Sequence, residues 1–97
     1  MAVINDYDVG EQVDVTATFT EPSTGLPVDP EVVTFKYKGP DGVINLVTLA
    51  SMRHVAGTGV YIASYVVTAS GAWYERFEST NPKGARERRI NVRPSEF

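Results

Sequence analysis

Polar and apolar residues alternate with a period of two along most of this chain. From Gln12 to Thr20, Val13, Val15, Ala17 and Phe19 fall on one side, and Asp14, Thr16, Thr18 and Thr20 on the other. Successive side chains of an extended chain leave opposite faces, so this is the pattern of a half-buried β-strand. Val33, Phe35 and Tyr37 alternate with Thr34, Lys36 and Lys38 in the same way and predict a strand over Val32–Lys38. Gly39-Pro-Asp-Gly42 then supplies a tight hairpin turn, because Asp-Gly tolerates positive φ. The returning strand, Val43–Leu49, has Ile44 and Leu46 opposed to Val47 and Leu49, which predicts an edge strand with a bulge.

Four further segments complete the pattern. Val3 and Ile4 predict a short first strand, followed by a loop through Gly10. Gly59–Thr68 carries Val60, Ile62 and Val66 against Tyr61, Ala63, Tyr65 and Val67, so both of its faces are apolar. Ala72–Ser79 places Trp73 and Phe77 together, and Ala85–Arg93 is the last strand, stopped by Pro94. Between them, the proline-rich stretch Glu21–Pro30 and the segment Ala50–Gly57 read as connections. About seven short strands with turns between them and no helical period predict an all-β, immunoglobulin-like two-sheet β-sandwich. Its core is expected from Val13, Val15, Ala17, Phe19, Val33, Phe35, Tyr37, Trp73 and Phe77, with one face of Gly59–Thr68.

The 97 residues fit one domain, 1–97. Cysteine is absent, and the N-terminus has neither a positive segment nor a long apolar one. Both point to folding in a reducing cytoplasm, with no signal peptide and no membrane span.

The stretch Asp8-Val-Gly-Glu-Gln-Val-Asp-Val-Thr-Ala-Thr-Phe-Thr20, then Pro27-Val-Asp-Pro30, then Val33–Gly42 resembles small immunoglobulin-like proteins encoded among tailed-bacteriophage structural genes. Gly59-Val-Tyr61 and Ser70-Gly-Ala-Trp-Tyr74 look like the glycine-aromatic strand starts of the same group. The likeness covers residues 8–79 and is one of fold and turns, shared in part with modules of bacterial adhesins and glycan-degrading enzymes. Those modules sit in long secreted chains, whereas this one begins at its own Met1 without an export signal, which favours the phage group. The resemblance implies a non-enzymatic accessory protein of a virion, attached to head, neck or tail, assembled in the host cytoplasm against other virion proteins. A homo-oligomer is one form such assembly takes. The alternative is a carbohydrate- or cell-surface-binding module.

Charge is distributed unevenly. Residues 1–31 hold seven acids and no base, whereas the remainder holds nine bases and five acids. Lys83–Arg93 alone has five bases and one acid, and alternation sets Arg86 and Arg88 beside Ile90 and Val92, with Arg89 and Arg93 on the other face. A split of this kind, at a pI near 5.0, does not fit nucleic-acid binding. It fits a solvated edge strand or docking on an acidic surface, while Asp6, Asp8 and Glu11 form an acidic counterpart. Asn5, Asp6, Asp8 and Glu11 also hold the oxygens calcium takes, but lack the glycine a calcium loop needs, so a turn is the expectation and no metal or cofactor is assigned. Tyr61 and Tyr65 are candidates for contact with a subunit or a glycan. His54, the single histidine, is placed in a loop with no nucleophile motif around it, so no catalytic residue is expected.

Overall fold

The computed structural model describes residues 3–94, with side chains from Tyr7 onward. Eight strands are present among them: β1 (Val3–Asp8), β2 (Gln12–Thr18), β3 (Val32–Lys38), β4 (Ile44–Val47), β5 (Arg53–His54), β6 (Val60–Val66), β7 (Gly71–Thr80) and β8 (Gly84–Arg93). They form a five-stranded sheet in the order β1-β8-β7-β3-β4 and a three-stranded sheet in the order β2-β6-β5. The chain passes between the sheets after β1, β2, β4 and β6, which makes the two-sheet, all-β sandwich that the alternation predicts.

Strand β2 shows why the pattern works: Val13, Val15 and Ala17 are buried and each intervening residue is exposed. They stand directly across from Tyr65, Ala63 and Tyr61 of β6. That pairing decides which face of β6 turns inward. Tyr61, Ala63, Tyr65 and Val67 line the core, and Val66 faces out. Opposite them, Val33 and Phe35 of β3, Trp73 and Phe77 of β7, and Ile90 and Val92 of β8 close the other layer. Aromatic rings dominate this core. Tyr37 stacks on Tyr65 at 4.2 Å between centroids, and Phe35 meets Phe77 at 4.8 Å. Phe19 and Tyr37, expected inside, pack against the core but stay partly exposed at its rim.

Four expectations are corrected. The last strand is not a simple edge, because β1 runs parallel to it from Val3↔Arg89 to Asp8↔Arg93. β1 is correspondingly longer than Val3-Ile4, and the register skips at Asp6, between Asn5 and Tyr7. β4 carries no bulge: its pairing with β3 is continuous from Phe35↔Val47 to Lys38↔Ile44, so Ile44 and Leu46 face out while Val47 turns to the core, and a 3-10 turn at Leu49–Ser51 follows the strand. The connection after β4 contains β5, which pairs with β6 and places His54 on a strand. At the hairpin, Gly42 has φ +77° and its N–H donates to the Gly39 carbonyl at 3.0 Å, as the turn residues demand.

Candidate functional site

Register across the five-stranded sheet fixes the composition of its outer face. One rung runs Ile44, Lys38, Tyr74, Arg89, and the next runs Leu46, Lys36, Arg76, Glu87. Tyr74 is 43% exposed, Leu46 58% and Ile44 65%. Lys38 reaches over the Tyr74 ring, 5.6 Å from its centroid. Between the rungs lies an open groove of ≈ 380 Å³, lined by Lys36, Lys38, Ile44, Tyr74, Arg76 and Glu87 among others. Glu78, in the third rung, accepts from Lys36 at 2.7 Å, and Arg76 contacts Glu78 at 3.3 Å and Glu87 at 2.6 Å. The Lys36 contact, seconded by Arg76, holds the Glu78 carboxyl below the usual range. The face thus divides into a self-neutralised charge ladder, an apolar edge at Ile44 and Leu46, and Tyr74, which Lys38 separates from that edge.

The sequence-predicted residues are dispersed rather than gathered. Tyr61 and Tyr65 are 2% and 5% exposed, so neither offers a contact to another molecule. They point inward because they pair with the apolar face of β2, and burial raises the pKa of both phenols. Arg86 and Arg88 point toward the space between the sheets, and Arg89 and Arg93 lie on the outer face, as alternation requires. Arg88 is no surface anchor. Its Nε and Nη2 donate to the Glu75 carboxylate, which is 3% exposed and also accepts from the Tyr65 hydroxyl at 2.6 Å. This cluster was detectable from spacing: Glu75 falls between Trp73 and Phe77 at period two, and a buried carboxylate must be paired.

The acidic counterpart is engaged by the chain itself. Arg93 Nε donates to Asp8 Oδ1 at 3.0 Å, the Asp8 N–H donates to Glu11 Oε2 at 3.2 Å, and the Glu11 N–H donates to the Asp8 carbonyl at 3.0 Å. The Asp6 side chain lies outside the described residues. Asp14 pairs with Arg53 at 3.2 Å, and Asp29 sits 3.3 Å from His54 Nε2. Among the described residues no cluster of three or more carboxylates, histidines or cysteines stands ready for a metal ion. Acids of the N-terminal third and bases of the remainder therefore meet within one subunit, at Asp8–Arg93 and Asp14–Arg53.

Asp29 anchors a second arrangement that sequence reasoning missed. Its carboxylate accepts the N–H groups of Gly57 at 2.6 Å and Gly59 at 2.9 Å, which hold its pKa below the ordinary value. His54 stacks on Tyr61 at 3.9 Å with an interplanar angle of 4°, and its Nδ1 lies 2.7 Å from the Val60 carbonyl. These contacts tie the proline-rich connection to the start of β6.

Among the described residues no helix is long and apolar enough to cross a membrane. Compared with protein-family models and with curated proteins, the chain matches none of them.

Proposed function

We propose that this protein is a non-enzymatic structural component of a bacteriophage virion, attached to head, neck or tail through the outer face of its five-stranded sheet. The observation that carries the docking part of this reading is the exposed apolar edge of Ile44 and Leu46, with Tyr74 beyond Lys38 on the same face of the sheet. Contiguous exposed apolar side chains beside polar ones are the usual mark of a protein-contact surface. The virion part rests on the resemblance of residues 8–79 to phage structural proteins. A glycan-binding module is the weaker reading, since the tyrosines that would have formed its platform are buried and Tyr74 stands alone, with Lys38 over its ring.

Mass spectrometry of gradient-purified particles from the phage encoding this chain tests the reading, alongside a glycan array. Presence in particles at a fixed ratio to the capsid or tail subunit supports it. Absence from particles together with retention on glycans reverses the ranking.

A further inference from the structure

The two sheets expose edges that differ in one respect. β1 carries Asp8, β2 carries Asp14, β5 is Arg53-His54, and the part of β8 that β1 does not cover carries Arg86, Glu87 and Arg88. Charges on an edge oppose pairing with another strand. β4 has none. From Gly42 to Met52 the chain holds no charged residue and no proline, and β4 is unbulged. Its outer row, Ile44 and Leu46, is also among the most exposed apolar surface of the protein.

We propose that β4 is a self-association edge: two copies pair β4 to β4 antiparallel, joining their five-stranded sheets into one. This deepens the assembly reading above by naming a second copy as the partner. The edge is complementary to itself, and no charge opposes the pairing. A two-fold axis perpendicular to the sheet and passing near Asn45 sets Ile44 of each copy across from Leu46 of the other. The four side chains then form one apolar cluster on the outer face. The nearest cations beyond it, Lys38 of one copy and Lys36 of the other, stand three strand spacings apart, about 14 Å. That exceeds the screening length of about 8 Å at physiological salt, so the identical edges meet without like-charge opposition. Lys36 is moreover neutralised by Glu78 in its own subunit.

Sedimentation equilibrium of the purified chain from about 1 to about 200 µM reads the association directly. The expected result is a monomer–dimer equilibrium within that range, weakened at least about tenfold by Leu46→Lys and unchanged by Leu26→Lys, an equally exposed leucine in the loop after β2. Should Leu46→Lys fail to fold by circular dichroism, single cysteines at Ile44, Asn45 and Leu46 give a second measurement, since the chain has no cysteine of its own. Mild oxidation then yields a disulfide-linked dimer at the position on the axis and little at a control cysteine replacing Thr58. A chain that stays monomeric throughout, a dimer indifferent to Leu46→Lys, or cross-linking no better than the control overturns the proposal. Because purified protein is measured alone, these outcomes are separable from whether the chain is found in particles.

Discussion

Glu75→Ala is the sharpest test of how this core is held together. The Glu75 carboxylate is 3% exposed and receives hydrogen bonds from the Tyr65 hydroxyl and from two nitrogens of Arg88. Deleting it leaves a buried hydroxyl without its acceptor, which costs about 1–3 kcal/mol. It also strands the Arg88 guanidinium. Breaking a fully buried pair costs about 3–5 kcal/mol, but the Arg88 side chain is 29% exposed and water recovers part of that, leaving about 1–2 kcal/mol. The total, about 3 kcal/mol, is about 30–60% of the roughly 5–10 kcal/mol that a domain this small has at its disposal. Urea unfolding followed by fluorescence of Trp73, the chain's single tryptophan, reads the loss as a lower midpoint at unchanged slope. The companion variant Tyr65→Phe/Glu75→Leu/Arg88→Leu removes all three polar groups together. It is expected within about 1 kcal/mol of the parent, since apolar replacement of a buried ionic cluster is commonly neutral or stabilising. A Glu75→Ala loss below about 1 kcal/mol, or a triple variant as damaged as the single one, refutes the reasoning.

Three more outcomes follow from the same contacts. Burial first, and the Glu75 hydrogen bond second, raise the Tyr65 pKa above its ordinary value of 10.0, so the folded state keeps a proton that the unfolded chain loses. Stability is therefore complete below about pH 10 and falls as pH rises beyond it, and Tyr65→Phe flattens that alkaline limb in pH-dependent urea melts. Asp29 has the opposite sign: its lowered pKa gives stability above the ordinary carboxylate range that is lost as pH falls through the folded value. Asp29→Asn is expected to shallow the acid limb below the ordinary carboxylate range, and to speed amide exchange at Gly57 and Gly59. Gly59 has φ +69°, and an added Cβ would stand 2.4 Å from the Phe19 carbonyl oxygen and 2.9 Å from that of Val28. Gly59→Ala should cost more than about 2 kcal/mol, measured as a fall in thermal midpoint, whereas Gly57→Ala, at φ +82° with nothing near, should cost less.

Period-two alternation is local, and what it encodes was legible. The inward faces of β2 and β3, the Asp-Gly turn, and the division of arginines between the two faces of β8 all appear where residue spacing puts them. Facts that depend on which strand lies alongside were not. β6 is apolar on both faces, so only its register with Val13, Val15 and Ala17 tells that Tyr61 and Tyr65 are core. The acidic, asparagine-containing stretch of β1 reads as a turn and is extended because β8 supplies parallel hydrogen bonds. Two residues of β5 are too few to show a period at all.

Tyr74 marks the point where local and distant information could have been joined. It stands next to Trp73, and a strand that buries one must expose the other. Attention to the larger ring as core leaves the smaller one on the opposite face, where β3 and β4 bring Lys38, Ile44 and Leu46 beside it. The charge asymmetry has the converse history. Sequence alone allows an acidic end and a basic end to meet between molecules or to neutralise each other within one subunit, and Asp8 with Arg93 and Asp14 with Arg53 are pairs of the second kind. Such exposed pairs are worth about 0–1 kcal/mol each, so they do not hold the fold. In the self-association proposed above, the charges stay off the β4 edge, and the second copy is held by backbone pairing and apolar contact rather than by long-range attraction.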